Sequence, residues 1–387
     1  MRQMLVATFL ASAATGIASI LIPWILIKEF SGDVFSILAT ATTFMVIFFM
    51  PMIGRTIDRL KRKNILVATS CGGCLFFLIL SFLEAGNLIY SACLLAAFVL
   101  MQLYYNVFFT TRSALAQSLT RKENYGRLNG WLEIENQTAA FSAGTLAVLL
   151  LDVLPIQTIF LVCVLSLLLA ALFFYLIPEK DRNDGKEIKI NKNEKLNFDL
   201  SLLLLVQAGN IPFVCIMLMN IVKPIFVSDV LLANAQVLAM TGVFYTVGAI
   251  TTGGLSSWLM NKIGAFNSLV LAVFGFVIAS ASLIVISTVE VLYAASLGWG
   301  IFNSLARISK QTIAMEIIPN EEIGRFMAYS QKITLFIRGM VILGFSSVFL
   351  FVEYSYSFWY VTAIALAGPM LLLVRKRKAT LPNVPVR

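Results

Sequence analysis

The sequence predicts an all-α membrane protein, with twelve transmembrane helices arranged as two six-helix pseudo-symmetric bundles. Three observations predict it. Of the 387 residues, 59% are hydrophobic and only 13% are charged, about half the charged share of a soluble domain. Apolar runs near the roughly 20 residues that a spanning helix needs recur along the whole chain. Lys and Arg collect in every second connection between those runs, as membrane topology requires.

The runs of the first half are 3–27, 33–53, 64–84, 88–111, 128–151 and 156–177. Those of the second are 200–225, 234–259, 268–288, 290–308, 327–350 and 353–374. Each is read as a helix, because a segment in lipid must satisfy its backbone groups internally. The first run stays apolar from Leu5 to Ile27, longer than the roughly 7–15 residues of a signal-peptide core, so it is expected to remain as the first helix. Residues 179–199, rich in Lys, Asn, Asp and Glu, read as a solvated linker. It divides the chain into an N-terminal bundle, 1–178, and a C-terminal bundle, 200–387.

With both termini in the cytoplasm, the inner connections are 55–63, 112–127, the linker, 260–267 and 307–325. Together with the termini they hold 25 of the 29 Lys and Arg; the remainder are Lys28, Lys223, Lys332 and Arg338. The outer connections are short and carry Asp33, Glu84, Asp152, Asp229, Glu290 and Glu353. The net charge of +9 is therefore a topology signal, with no nucleic-acid partner implied. An impermeant thiol reagent that labelled a cysteine placed at position 187 from outside the cell would overturn this orientation.

The five cysteines lie inside apolar runs. Cys71 and Cys74 have CxxC spacing, but with no histidine anywhere in the chain they read as small membrane-helix residues, with no metal site expected. The halves repeat. Ala116 … Glu123-Asn124-Tyr125-Gly126-Arg127 … Trp131 is echoed by Ala314 … Glu321-Glu322-Ile323-Gly324-Arg325 … Tyr329, with Gly126 and Gly324 lying 198 residues apart. A parallel repeat of that length implies two related bundles about a central cavity.

The strongest local motif joins the second and third helices: Gly54-Arg55-Thr56-Ile57-Asp58-Arg59-Leu60-Lys61-Arg62-Lys63. Gly54 permits close helix approach, Asp58 suits a helix N-terminus, and the basic residues anchor the connection and can pair with Asp58. This segment resembles the GxxxDRxGRR signature of the major facilitator superfamily, through Gly54, Asp58, Arg59, Arg62 and Lys63, with Lys61 in place of the second Gly. The resemblance implies that these residues form a latch holding the two bundles together in the outward-facing state, and that the chain is a monomer. The matching second-half stretch, Ser257 to Phe266, is degenerate, with Asn261-Lys262 where Asp-Arg would stand. Phe109 to Gln137 and Asn303 to Arg325, the latter ending Pro319-Asn320-Glu321-Glu322-Ile323-Gly324-Arg325, are similar to a subgroup of macrolide-efflux and enterobactin-exporter proteins, which implies export. The chain departs from the proton-coupled drug antiporters in its fifth helix, where Ala139 to Ala147 contains no proline, and in its fourth, where Gln102 lies near the expected Arg.

Charge within a spanning helix is costly, roughly 2.5–3.5 kcal/mol per residue at its centre, and is functional by default. Glu133 and Glu135 lie about 200° apart on the fifth helix, so one at most faces a given cavity. One is a candidate proton-carrying carboxylate; the alternative is a salt bridge to the Arg112 or Arg127 region. Arg338, deep in the eleventh helix, is the candidate for recognising substrate charge, with an ion pair across the bundle interface as the alternative. Further substrate-binding candidates are Asn106, Gln102, Trp24, Gln137, Asn220, Tyr245 and Asn303; Tyr105, Asn210 and Trp299 are further positions that could line the cavity. Small residues on the fifth helix (Ala139, Ala140, Ala143, Gly144) and the eighth (Gly242, Gly248, Gly253, Gly254) suit close packing, which the resemblance places between those two helices.

There is no GxxxxGK[ST] segment and no nucleophile–base constellation, so neither ATP use nor enzymatic catalysis is expected, and no cofactor. The expectation is a secondary transporter of the plasma (inner) membrane, working by alternating access. It would use the proton gradient to export a small organic molecule, drug- or siderophore-like and anionic or zwitterionic. Import of a metabolite, export of a metal ion or metallophore, and a membrane-embedded enzyme or lipid flippase are the alternatives.

Overall fold

The computed structural model describes residues 2–30, 32–83, 87–178 and 199–378. Among them are twelve α-helices: α1 (Arg2–Glu29), α2 (Gly32–Arg59), α3 (Arg62–Phe82), α4 (Leu88–Leu119), α5 (Tyr125–Val153), α6 (Ile156–Tyr175), α7 (Leu200–Ile225), α8 (Ala235–Ile263), α9 (Ala265–Val285), α10 (Val289–Ile317), α11 (Ile323–Val348) and α12 (Ser357–Lys378). The protein is an all-α, multi-pass membrane protein. Ten of these helices are long and apolar enough to cross a membrane; α5 and α10 fall outside that group. In α10 the reason is visible: its second half carries Asn303, Ser304, Arg307, Ser309, Lys310, Gln311 and Thr312. The linker expected over 179–199 lies almost wholly outside the described residues.

Helix starts follow local chemistry. Asn87 caps α4 by accepting from the Ile89 N–H, Asp199 caps α7 through Ser201, and Asn234 caps α8 through Val237. Each side-chain oxygen satisfies one of the N–H groups that a helix start leaves unpaired. Between α8 and α9 the chain turns on Gly264 alone, at φ 83°, a left-handed conformation that favours glycine.

Three boundaries differ from expectation. The predicted connection 55–63 is helical through Arg59, and α3 begins at Arg62, so Asp58 sits in the last turn of α2. The fourth and tenth helices continue about two turns past 111 and 308, ending at Leu119 and Ile317. Arg112, Arg307 and Lys310, read as connection residues, are therefore helical. Hydropathy stops where charge begins, whereas a helix continues wherever its charges find partners.

The chain forms two compact units. The first takes the described residues of 1–124, 134–188 and 318–332. In it α3 and α1 pack on α6, and α4 on α3, α2 and α1. The second takes those of 125–133, 189–317 and 333–387. There α10 packs on α8, α9 and α7, and α12 on α7 and α9. Its core contains Phe226, Phe276, Trp299 and Phe358. The Trp299 ring stacks 5.7 Å from Phe358, and its indole N–H donates to Ser280 Oγ at 3.0 Å, the partner a buried indole requires.

The small residues are used differently from the expected pairing. Ala143 of α5 faces α1, where a Cβ on Gly16 would come within 2.6 Å of the Ala143 Cβ. Close approach of α5 to α8 occurs at Gly130, where a Cβ would lie 2.5 Å from the Gly253 carbonyl oxygen. Gly248 instead admits α10, at the Leu297 carbonyl, and a Cβ on Gly144, Gly242 or Gly254 would meet nothing within 4 Å. Small side chains allow contact on any face, so spacing alone cannot say which neighbour uses it.

Candidate functional site

Among the described residues buried charge gathers in three places, two in the first unit and one in the second. In the first unit one forms around the end of α2. The Asp58 side chain is fully buried. Its carboxylate accepts from the backbone N–H groups of Gly324 at 2.8 Å and Arg325 at 2.9 Å, and from Arg325 Nε at 3.1 Å. Those N–H groups belong to the first turn of α11, where unpaired donors and the helix dipole favour an anion. Two glycines make the approach possible. A Cβ on Gly54 would lie 2.8 Å from the Ala328 Cβ and 2.9 Å from the Arg325 Cα, and one on Gly324 would overlap Asp58 Oδ1 and sit 2.8 Å from Ile57 Cγ2.

Arg62 reaches a different partner. It donates to Asn320 Oδ1 at 2.8 Å, to the Asn320 carbonyl, and to the Ala114 carbonyl at 2.5 Å. Asn320 in turn donates to Gln117 Oε1 at 3.0 Å, and Gln117 donates to the Ile318 carbonyl at 2.8 Å. Lys63 donates to the Ile177 carbonyl at 3.1 Å, and Arg59 is exposed. Gln117 and Asn320 were not among the sequence candidates. Asn320 lies within the quoted Pro319–Arg325 segment, which was the available signal. Also in this unit, Glu135 pairs with Arg112 at 2.7 Å with both side chains buried, and the Arg112 guanidinium lies 4.5 Å from the Phe109 ring centroid.

In the second unit the charges meet on α10. Glu133 Oε1 accepts from Ser304 Oγ at 2.8 Å and lies 3.4 Å from Arg307 Nη1. One turn on, Lys310 Nζ donates to Asn210 Oδ1 of α7. Gln207 Oε1 accepts both from Asn210 Nδ2 at 3.3 Å and from Thr334 Oγ1 at 3.2 Å. The absent side chain of Gly209 lets the Lys310 stem lie against α7: a Cβ there would be 3.0 Å from the Lys310 Cβ. Asn129 of α5 donates to Thr312 Oγ1 at 3.0 Å. Asn303 is fully buried; its Nδ2 donates to the Tyr245 hydroxyl at 2.7 Å, and its Oδ1 meets no donor among the described residues. Asn303, Arg307 and Lys310 stand at i, i+4 and i+7, one face of the helix.

Of the sequence candidates, Glu133, Tyr245 and Asn210 therefore each contact a residue of α10, Tyr245 through the candidate Asn303. Arg338 is half-buried on α11 and forms no hydrogen bond or ion pair among the described residues. Asn220 is exposed on α7 and Gln137 is buried on α5. In the first unit, Asn106 donates to the Gln102 carbonyl of its own helix at 2.8 Å. Trp24 is 40% exposed, with the Lys28 ammonium 3.8 Å from its ring centroid. Sequence reading missed Ser304, Arg307 and Lys310. Their signal was polar residues at helical spacing beyond the end assigned to the tenth run.

The sequence matches the family model for the Major Facilitator Superfamily over residues 4–342. No curated protein matches it. Solved structures do match the fold. A bacterial homologue of the iron transporter ferroportin in the outward-facing state superimposes with a TM-score of 0.79 at 14% identity, covering 97% of this chain and 99% of that one. The human organic anion transporter TETRAN gives 0.75 at 13% identity, with 96% and 98% covered. The proton:xylose symporter XylE gives 0.74 at 12% identity, with 96% and 94% covered. With most of its length matched and its twelve helices in this fold, the chain belongs to the Major Facilitator Superfamily of membrane transporters.

Proposed function

We propose that this transporter exports a small organic anion or zwitterion in exchange for protons, by alternating access of the bundles 1–178 and 200–387 across the plasma membrane, as a monomer with both termini in the cytoplasm. The observation that carries the reading is Glu133. It is a buried carboxylate bound to a hydroxyl and an arginine, and both partners are side chains that protonation would release. Glu135 is the second candidate, with Arg112 in the role of Arg307. The cations of the second half, Arg307, Lys310 and Arg338, support an anionic cargo, in keeping with the organic anion transporter among the structural neighbours. A metal cargo has less support. The chain has no histidine, and among the described residues no three His, Cys, Asp or Glu side chains group as metal ligands.

The test is flux in liposomes carrying the purified protein, with a pH gradient and a panel of labelled organic anions. Anion accumulation should follow the gradient in the antiport direction. Glu133→Gln should abolish that dependence while leaving exchange of labelled for unlabelled anion intact. Accumulation that runs with the proton marks a symporter and overturns the export reading. Wild-type flux that ignores the gradient overturns proton coupling.

A further inference from the structure

We propose that Lys310 and Arg307 form an oxyanion site that binds the carboxylate end of the transported molecule, and that Asn303, one turn away, accepts a hydrogen bond from its other end. The inference rests on the reading that the cargo is an organic anion, but not on its direction or on proton coupling.

Charge carries the argument. Among the described residues, the charged groups acting on Lys310 are Arg307, which repels it, and Glu133, which attracts it. Glu133 is already engaged by Arg307 and Ser304. Lys310 and Arg307 thus lie on the same face of a helix within the bundle, near one carboxylate, where a charge without a counter-ion is costly. Among the described residues, the Lys310 ammonium hydrogen-bonds to a neutral amide, Asn210. That amide is itself held in place: Gln207 accepts from Asn210 and from Thr334, which leaves Asn210 Oδ1 turned toward the lysine. The arrangement holds the lysine in place and, among the described residues, gives it no carboxylate of its own. A carboxylate arriving between Lys310 and Arg307 would supply the missing charge through strong, charge-assisted hydrogen bonds.

The second contact follows from a separate observation. Asn303 Oδ1 is buried and meets no donor among the described residues, a state that buried amides rarely occupy. It lies on the Arg307–Lys310 face, about 6 Å along the helix from Arg307. A ligand O–H or N–H at that separation from its carboxylate would complete it. The implied cargo is a short molecule with an oxyanion at one end and a hydrogen-bond donor at the other.

The experiment is equilibrium binding to the purified full-length protein in nanodiscs, without any gradient, read by thermal unfolding. The probes are benzoate, 4-hydroxybenzoate (carboxylate and hydroxyl at opposite ends of one ring) and inorganic phosphate, each against chloride at matched ionic strength. Both aromatic acids should stabilise the protein, the hydroxylated one more strongly. Lys310→Gln should weaken both by about tenfold or more, as loss of a charge-assisted contact does, and Lys310→Arg should restore them. Asn303→Ala should remove the advantage of the hydroxyl, so that 4-hydroxybenzoate binds no more strongly than benzoate.

If Lys310→Gln does not survive purification, acetylation of Lys310 in the wild-type protein, followed by mass spectrometry, gives the same answer: benzoate should slow it severalfold. No stabilisation beyond chloride, unchanged binding in Lys310→Gln, or unprotected acetylation overturns the site. Phosphate binding as well as benzoate, with the same Lys310 dependence, overturns the organic carboxylate in favour of a free inorganic oxyanion. Absence of proton coupling in the flux assay would leave this result standing, and normal coupled flux would not rescue it.

Discussion

Asp58 and Glu133 are both buried carboxylates facing an arginine, yet they are held in different ways. Asp58 takes two of its three hydrogen bonds from main-chain N–H groups at a helix start, and the third from the side chain of one of those same residues. Two glycines fix the approach. Glu133 is held by side chains, a serine at 2.8 Å and an arginine at 3.4 Å, with a second cation close by. Backbone donors cannot change protonation state or swing away, so the donors of the Asp58 arrangement leave only if helices part. Side-chain partners can exchange for a proton or an anion while the helices stay where they are. The contrast separates a mechanical fastening from a chemical one.

That contrast can be broken most forcefully at Asp58. Asp58→Ala leaves two helix N–H groups and Arg325 without their acceptor, and removing one member of a buried pair costs about 3–5 kcal/mol. Thermal unfolding in detergent should show the largest loss of any single change tested, with transport abolished. A variant as stable as wild type would remove Asp58 from the fastening. Gly54→Val comes next: even its Cβ would overlap Ala328 and Arg325, and such overpacking costs typically 1–3 kcal/mol. It should lower transport without touching a charge. Equal transport would show that α2 tolerates displacement there.

Arg338→Ala sharpens the other side. Arg338 makes no hydrogen bond or ion pair among the described residues, so the unfolding temperature should barely move while flux of an anionic substrate falls. Wild-type flux would exclude Arg338 from cargo binding. The smallest effect is expected at Asn129, whose amide bonds Thr312 within the second unit. Asn129→Ala should cost about 1 kcal/mol and leave anion binding intact. A selective loss of binding would extend the chemical site onto α5.

Much of this was legible in the sequence. The helices were readable because lipid forces apolar runs and internal backbone pairing. Gly54 and Asp58 stood out because their spacing means more than charge alone, and Asp58 was expected near a helix N-terminus. The helix it caps, α11, could not be read, because that contact joins residues 266 positions apart. The ends of α4 and α10 were set too early for one reason: Arg112 and Lys310 look like connection residues until Glu135 and Asn210 are seen opposite them. Hydropathy measures a residue against lipid, not against the neighbour that makes its charge tolerable. Arg338 shows the converse. It was conspicuous in an apolar run, yet it forms no hydrogen bond or ion pair among the described residues that would show what it serves.

The main-chain donors at Gly324 and Arg325 carry a consequence for how this segment can vary. What Asp58 reads there is where α11 begins, more than which residue follows Gly324. The side chain at 325 can therefore change and leave two of three bonds in place. Inserting or deleting one residue between Pro319 and Gly324 cannot, because it turns every later α11 side chain by about 100° or moves the first turn off the carboxylate. Chain length between those two positions should thus be held more strictly than residue identity. A library of insertions and substitutions across 319–325, scored for transport, should show that ranking.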